Sequence, residues 1–175
     1  MTLPVYLGLG SNLGDRLHHL QSAVYHLQHH PVRLRAWSSA YRSEPYGLQA
    51  QPWFVNAVIC VETPLDPYHL LHLCKRIERQ LGRNLNDRWG PRVIDIDILL
   101  YGRLVLDDPV LTIPHPGLPN RRFVLDPLLE IEPRLIDPRS LLPLRYLRLC
   151  HPSRPCEIHP WMGPQWLTPT RYHAR

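Results

Sequence analysis

The order in which hydrophobic periodicity changes along the chain is the feature that most constrains its fold. Four short apolar stretches have the length and composition of buried strands, at residues 3–10, 32–42, 53–62 and 93–101. Between them, residues 13–29 and the segment that begins at Pro67 repeat apolar side chains every three or four positions, which predicts amphipathic helices. The resulting β-α-β-β-α-β order predicts a ferredoxin-like α+β core.

The part of the chain after the fourth strand predicts additional elements. Residues 121–131 and 139–149 favour two extra C-terminal helices, and residues 150–175 are rich in Pro and His without periodicity. A length of 175 residues suits a single full-size domain. We therefore expect one domain over residues 1–149, followed by an irregular tail over 150–175.

Composition narrows the classes of protein. Hydrophobic residues make up 44% of the chain, enough for a packed core, and no apolar stretch approaches the ~20 residues of a membrane span. The N-terminus lacks the basic region of a signal peptide, and the four cysteines form no C-x-x-C pair, so the cytoplasm is the expected location. The 20 basic residues include a single lysine, Lys75. Arginine binds phosphate well, although a GC-rich genome explains this excess equally.

A glycine-containing segment, Gly8-x-Gly10-x-x-x-Gly14, follows the first strand. Its spacing is one residue too long for a dinucleotide-binding loop, and it lacks the lysine of a P-loop. We expect a tight turn between strand and helix, with Ser11-Asn12 as the helix N-cap.

Asp95 and Asp97 are the strongest local signal of chemistry. Side chains at i and i+2 of a strand share a face, so both carboxylates point the same way, with Cα atoms about 7 Å apart. Paired carboxylates on a rigid strand suit one or two Mg²⁺ ions whose shells are completed by phosphates. A pair of surface aspartates neutralised by arginines is the alternative.

Basic and aromatic residues surround this pair in the sequence. Five arginines belong to the loop before the fourth strand or follow His115, at Arg83, Arg88, Arg92, Arg121 and Arg122. With Trp89 and His115, they predict a clamp for polyphosphate and Mg²⁺. A solvated basic face remains the alternative.

Several motifs together resemble a known family. They are Leu9-Gly10-Ser11-Asn12-Leu13, Tyr41-Arg42-Ser43, Gln51-Pro52-Trp53-Phe54-Val55-Asn56-Ala57, Arg88-Trp89-Gly90-Pro91-Arg92-x-x-Asp95-x-Asp97 and Leu111-Thr112-Ile113-Pro114-His115-Pro116. Over residues 3–149 the chain resembles 6-hydroxymethyl-7,8-dihydropterin pyrophosphokinase. The resemblance implies an ATP-dependent diphosphotransferase of folate biosynthesis, which moves diphosphate from ATP to 6-hydroxymethyl-7,8-dihydropterin and releases AMP.

The resemblance also implies roles for individual residues. Asp95 and Asp97 would hold two Mg²⁺ ions and form the catalytic set with Arg83 and Arg92. ATP would be bound by Glu78, Trp89, Arg92, Ile98, Thr112, His115 and Arg121. The pterin would be bound by Ser43, Glu44, Tyr46, Phe54, Asn56, Trp89, Asp95 and Phe123, with Phe54 and Phe123 on its two faces.

Three positions depart from the family pattern, Lys75, Leu85 and Val110. They leave ATP affinity and closure of the loop over residues 83–92 less constrained than the chemistry. We expect a monomer that binds neither nucleic acid nor membrane. Two alternatives stay open: a degenerate paralogue that binds pterin or ATP without catalysis, and a ferredoxin-like nucleic-acid-binding module.

Overall fold

A computed structural model describes residues 3–46, 50–83, 90–150 and 157–167. The predictions for Leu85, Arg88 and Trp89 lie outside the described residues. In the described part of the chain, no helix combines the length and the apolar character needed to cross a membrane.

The described residues form strands and helices in the predicted order. The strands are β1 (Leu3–Ser11), β2 (Arg33–Trp37), β3 (Ala40–Ser43), β4 (Phe54–Thr63), β5 (Asp95–Tyr101), β6 (Leu106–Asp107), β7 (Thr112–Ile113) and β8 (Ile158–Met162). The helices are α1 (Arg16–Gln28), α2 (Pro67–Gln80), α3 (Arg122–Ile131) and α4 (Leu144–Cys150).

Six strands form one antiparallel sheet. Its order is β5-β1-β4-β3-β8, and β2 also pairs with β4. β6 and β7 form a separate two-stranded sheet. The ferredoxin-like α+β fold is therefore confirmed, with the predicted second strand divided into β2 and β3. The division falls at Ser38, whose Oγ accepts the Val58 N–H at 3.0 Å.

Helices cover both faces of the large sheet. One apolar cluster joins α1 and α2 to strand residues such as Leu7, Ile59 and Ile96. A second cluster joins α3 and α4 to side chains on the opposite face, such as Val58 and Leu99. Alternation along each strand separates the two clusters, and a pocket lies beside the α3 cluster.

The helix starts follow from capping side chains. Asp15 accepts the His18 N–H and begins α1, so the predicted N-cap at Ser11-Asn12 is wrong. Asp66 accepts the N–H groups of Tyr68 and His69 and begins α2, with Pro67 in its first turn as predicted.

The two extra helices differ in how closely they match their predicted ranges. α3 spans Arg122–Ile131, close to the predicted 121–131. The predicted helix over 139–149 begins only at Leu144. The Asp137 carboxylate accepts the N–H groups of Arg139 and Ser140, which stabilises a turn where the helix was expected.

The C-terminal segment is more regular than predicted. Within the range 150–175, residues 158–162 form β8 and pair with β3, and a 3₁₀ turn follows at Pro164–Leu167. The Trp166 indole is only 2% exposed in the core, and its N–H donates to the Ser38 carbonyl at 2.7 Å. The prediction of an irregular tail is therefore wrong for residues 158–167. The domain boundary at residue 149 stays a prediction.

Candidate active site

A pocket of about 200 Å³ opens on the α3 face of the sheet. Its floor is formed by β1, β4 and β5, and Gly8 and Gly10 lie in β1, within the strand predicted over residues 3–10. A Cβ on Gly10 would approach the Asn56 Oδ1 to 3.1 Å, and one on Gly8 would approach Leu99 to 3.3 Å. The two glycines thus keep the pocket floor open. Gly14, at φ +62°, is the glycine that makes the turn.

β5 carries Asp95 and Asp97 into the pocket. Both line it, whereas Ile96 and Ile98 are buried in the core on the other face, as the alternation predicts. Pairing with β1 holds β5 in place, because Gly8 lies opposite Asp97 and Gly10 lies opposite Asp95. The two carboxylates are therefore held on a rigid strand.

Asp95 is surrounded by cations. The Arg83 Nη1 lies 2.5 Å from its Oδ1, and the Arg92 Nη1 donates to its Oδ2 at 2.8 Å. Burial raises the pKa of Asp95, but the positive charges of Arg83, Lys75 and Arg92 outweigh burial and hold the pKa below its usual value. Asp95 is therefore a carboxylate at neutral pH.

Asp97 has a different environment. Burial, followed by the negative charge of Asp95, raises its pKa. Burial lowers the pKa of nearby His115. The His115 Nδ1 accepts the Gly117 N–H at 3.0 Å, which leaves Nε2 as the donor of the neutral ring. The pocket therefore contains two different groups. The Asp97 carboxylate would be stabilised by an added cation, and the neutral His115 ring offers an N–H donor.

Glu78 joins α2 to this strand. It is fully buried, accepts the Ile96 N–H at 2.7 Å, and lies 2.8 Å from the Lys75 Nζ and 2.5 Å from the Arg83 Nη1. Burial raises its pKa and the ammonium of Lys75 opposes the rise. The side chain of Glu78 therefore positions two cations beside Asp95 and does not line the pocket.

The other end of the pocket suits a flat polar ring. Asn56 is 6% exposed, and its Nδ2 donates to the Ser43 Oγ at 2.8 Å, which orients the amide. The aromatic rings of Phe54, Phe123 and Tyr46 line the same space. An oriented amide among aromatic faces favours a heterocycle over an aliphatic ligand.

Two guanidinium groups connect the aromatic end to the charged end. The Arg92 Cζ lies 6.0 Å from the centroid of the Phe54 ring. The Arg121 Cζ lies 5.0 Å from the Tyr46 ring and 5.9 Å from the Phe123 ring. A guanidinium above an aromatic face is attracted to the ring, which helps to hold Arg92 and Arg121 at the pocket.

A second cavity of about 260 Å³ adjoins the first at His115. Thr112, Pro114 and Pro116 also line it. The predicted nucleoside residue Thr112 thus lies beyond His115, away from the aromatic end. Ile98 is 3% exposed, so its side chain belongs to the core and only its backbone can face a ligand.

The main pocket brings together most of the predicted site residues. Those that line it are Ser43, Glu44, Tyr46, Phe54, Asn56, Arg92, Asp95, Asp97, His115, Arg121 and Phe123. Arg83 contacts the site through Asp95, whereas the side chains of Glu78 and Ile98 are buried behind it. Trp89 lies outside the described residues.

Sequence reasoning missed one residue that organises the site. Asn12 is buried, and its Oδ1 accepts the Arg92 N–H at 2.7 Å. Its Nδ2 donates to the Gln51 Oε1 at 3.0 Å and to the Pro52 carbonyl at 3.2 Å. Asn12 thereby ties β1 to the segments on both sides of the pocket. Its place between Gly10 and Gly14 suggested only a cap, because contacts across 40 and 80 residues leave no local pattern.

The donor set at β5 fits a magnesium ion. Two carboxylates with a common direction face a pocket rich in cationic side chains, and Mg²⁺ is bound by one or two carboxylates with water and phosphate oxygens as its other ligands. Among the described residues, no group of three or more His, Cys, Asp or Glu side chains could hold a metal.

Comparison with known proteins gives a consistent result. The model of the family 7,8-dihydro-6-hydroxymethylpterin-pyrophosphokinase matches residues 6–133. The chain belongs to this family. The match contains every predicted site residue and ends before α4 and the C-terminal strand.

Curated relatives extend over most of the chain. A 2-amino-4-hydroxy-6-hydroxymethyldihydropteridine pyrophosphokinase of Methylorubrum extorquens is 48% identical over 132 residues, which cover 75% of this chain and 84% of the relative. An enzyme of the same name from Aquifex aeolicus is 43% identical over 141 residues, covering 81% and 88%.

Solved structures support the fold. The chain is similar to a crystal structure of Plasmodium falciparum HPPK-DHPS wild type with SDX-DHP, with a TM-score of 0.69 and 16% identity. The similarity covers 86% of this chain and 44% of that one, so the chain spans less than half of the larger protein. At this identity the likeness concerns the fold alone.

Proposed function

We propose that this pyrophosphokinase-family chain transfers the terminal diphosphate of ATP to the hydroxymethyl group of 6-hydroxymethyl-7,8-dihydropterin, giving AMP and the pterin diphosphate. The observation that carries the proposal is the joint presence of Asn56 and Asp97 in one pocket. One end can bind a flat polar ring, and the other end can bind a metal and phosphates. A hydroxymethyl substituent on the ring would point from the first end toward the second.

The pterin end binds and orients the acceptor. Phe54 and Phe123 would lie on the two faces of the ring, and the Asn56 amide, fixed by Ser43, would pair with its polar edge. Ser43, Glu44 and Tyr46 would line the rim. Holding the acceptor in one orientation turns a reaction between two molecules into a step within one complex.

The charged end binds and activates ATP. Asp95 and Asp97 would hold two Mg²⁺ ions, which would supply Lewis-acid stabilisation of the charge that develops on the phosphates during transfer. Arg92 and Arg121 are positioned beside this end to contact phosphate oxygens, and the neutral His115 offers Nε2–H as a further donor. The second cavity beyond His115 would accept the nucleoside near Thr112.

The remaining expectations concern partners and location. A nucleic-acid-binding sheet stacks bases on aromatic residues of its central strands, but the corresponding face here presents two carboxylates that would repel a phosphate backbone without a metal. Cys60 and Cys74 are free and buried, which suits a reducing cytoplasm. We propose a cytoplasmic monomer without nucleic-acid or membrane partners.

A coupled assay tests the proposal. Release of AMP from ATP should require both Mg²⁺ and the hydroxymethyl pterin, and should stop when either is omitted or when EDTA is added. AMP release that does not depend on the pterin would reject the acceptor. Binding of both ligands without AMP release would instead identify a degenerate paralogue.

A further inference from the structure

Lys75 is the only lysine among the 20 basic residues of the chain, and it lies beside the carboxylates of β5. Its Nζ is 3.9 Å from the Asp95 Oδ1 and 3.9 Å from the Asp97 Oδ1. The ammonium is thus equally distant from both carboxylates. A basic residue placed only for surface charge would have no reason to occupy this position.

Glu78 fixes the ammonium at that point. Lys75 and Glu78 are three residues apart on one face of α2, and the Lys75 Nζ donates to the Glu78 Oε1 at 2.8 Å. The same Glu78 oxygen accepts the Ile96 N–H at 2.7 Å. Because Ile96 lies between the two aspartates in β5, the helix and the strand are locked in register with the ammonium between the carboxylates.

The two carboxylates depend on Lys75 to different extents. Asp95 also pairs with Arg83 and Arg92. Asp97, by contrast, has Lys75 as its one ion-pair partner among the described residues. Two like charges at i and i+2 on one strand face repel each other, so without an intervening cation they would move apart.

We propose that Lys75 is a positioning residue whose ammonium takes the place of a metal between Asp95 and Asp97 in the nucleotide-free protein and is displaced when Mg²⁺ arrives with ATP. This inference rests on the proposed metal site at these two residues. An ammonium suits the role because it carries one charge, makes no demand on coordination geometry and lies on a flexible stem. It keeps both carboxylates directed at one point until a divalent ion replaces it.

The Lys75 ammonium should also affect whether the site prefers free Mg²⁺ or Mg²⁺ bound to ATP. Free Mg²⁺ must compete with the ammonium for the two carboxylates. Mg²⁺ bound to ATP arrives with negatively charged phosphate groups, which can pair with the displaced ammonium. The site should therefore favour the metal–nucleotide complex over the metal alone. Removing the lysine should raise affinity for the free metal.

The test measures Mn²⁺ binding to the nucleotide-free protein by electron paramagnetic resonance, together with the melting temperature in EDTA. Lys75→Gln keeps an N–H donor for Glu78 but removes the charge, and it should bind Mn²⁺ about tenfold more tightly than wild type. Its melting temperature in EDTA should fall and recover with Mn²⁺. Lys75→Arg should resemble wild type. Arg76→Gln is the matched control, because Arg76 is the exposed next residue on the same helix and contacts His30 instead.

The possible outcomes separate the inference from the proposed metal site. Mn²⁺ binding to Lys75→Gln that is equal to or weaker than wild type would overturn the placeholder role, as would an equal gain in Arg76→Gln. Asp97→Ala reports on the metal site itself and should lose the binding seen in wild type. Unchanged Mn²⁺ binding in Asp97→Ala would overturn the metal site and the Lys75 role with it.

Discussion

The two ends of the large sheet are held by different kinds of contact. At the β5 end, a chain of charged side chains joins Asp95 to Arg83, Arg92 and Glu78. At the β8 end, strand pairing and buried aromatic surface join the C-terminal segment to β3, with Trp166 in the core. The first end directs charge into the pocket, and the second pairs with β3 beside Ser43 and Glu44 at the pocket rim.

The difference indicates that chemistry and stability are separable in this chain. Asp97 is desolvated and lies beside the like charge of Asp95, which together raise its pKa, so removing Asp97 should affect catalysis more than folding. The β8 end meets the pocket at Ser43, which lies opposite Ile158, and at Glu44, whose N–H donates to the Glu157 carbonyl at 3.1 Å. Substitutions at the β8 end should therefore lower the stability of the fold more than the activity.

Replacing Asp97 should have the largest effect. In Asp97→Ala, turnover should fall by at least roughly a thousandfold, because a metal ligand contributes several kcal/mol of transition-state stabilisation. Burial and then the charge of Asp95 raise the pKa of Asp97, so its ionised form opposes folding at neutral pH and the melting temperature should not fall. Saturating Mg²⁺ assays and thermal melts measure both quantities.

Glu62→Ala provides the matched control for Asp97→Ala. It removes a carboxylate from β4 that pairs with Arg35 away from the pocket, and should keep wild-type turnover. Activity of Asp97→Ala within tenfold of wild type would contradict the metal role.

Replacing Trp166 should produce the largest loss of stability at the β8 end. Trp166→Ala removes a side chain that is 2% exposed and should lower the free energy of unfolding by about 3–5 kcal/mol. Trp161→Ala, in the same segment but 41% exposed, should cost less than about 1 kcal/mol. Urea unfolding of the pair measures the difference, and equal losses would show that the segment is not packed as described.

Arg83 and Arg92 should differ in how they affect ATP. Arg83 is paired with Asp95 and Glu78, so contact with phosphate must replace existing ion pairs and should add little to ground-state affinity. Arg83→Ala should therefore lower kcat about a hundredfold and leave the Kd of an ATP analogue within a fewfold. Arg92→Ala should change both quantities, because Arg92 lines the pocket directly, whereas Arg83 contacts it through Asp95.

Single-turnover rates and titrations with an ATP analogue make the comparison between the two arginine variants, after circular dichroism has established that each folds. If Arg83→Ala weakens the analogue as much as it slows the reaction, Arg83 is an ordinary phosphate contact. The expected closure of the loop over residues 83–92 would then lose its support.

Asn56 should have the smallest and most selective effect. Asn56→Ala should weaken pterin binding by about 1–3 kcal/mol and leave ATP binding unchanged, because a polar ring edge loses its partner. Calorimetry with each ligand separately makes the measurement. Ser43→Ala removes only the hydroxyl group that orients the amide, so its pterin affinity should lie between those of Asn56→Ala and wild type. Equal losses for both ligands would indicate a folding defect instead.

The sequence predicts what depends on local spacing. Alternation placed Asp95 and Asp97 on one face, with Ile96 in the core, and strand and helix periods gave the order of the main elements. Local spacing does not predict contacts between distant segments. Trp166 bonds to Ser38 across 128 residues, so β8 and its turn were predicted as an irregular tail.

The same limit applies within the candidate site. The resemblance to the family assigned Glu78 to the nucleotide, but the side chain is fully buried and contacts Lys75 and Arg83 from behind β5. Lys75 was noted only as a departure from the family pattern. Its place between two carboxylates follows from the packing of α2 on β5, which no spacing along the chain reveals.

Phosphorus-31 nuclear magnetic resonance of the reaction mixture tests diphosphate transfer to the pterin, because it identifies which bond of ATP is broken. With Mg²⁺, ATP and the hydroxymethyl pterin present, the reaction should give AMP and a new diphosphate monoester in equal amounts, with no ADP. The same spectrum with Asp97→Ala should show unreacted ATP. Formation of ADP with a pterin monophosphate, or of AMP with free pyrophosphate, would contradict diphosphate transfer to the pterin.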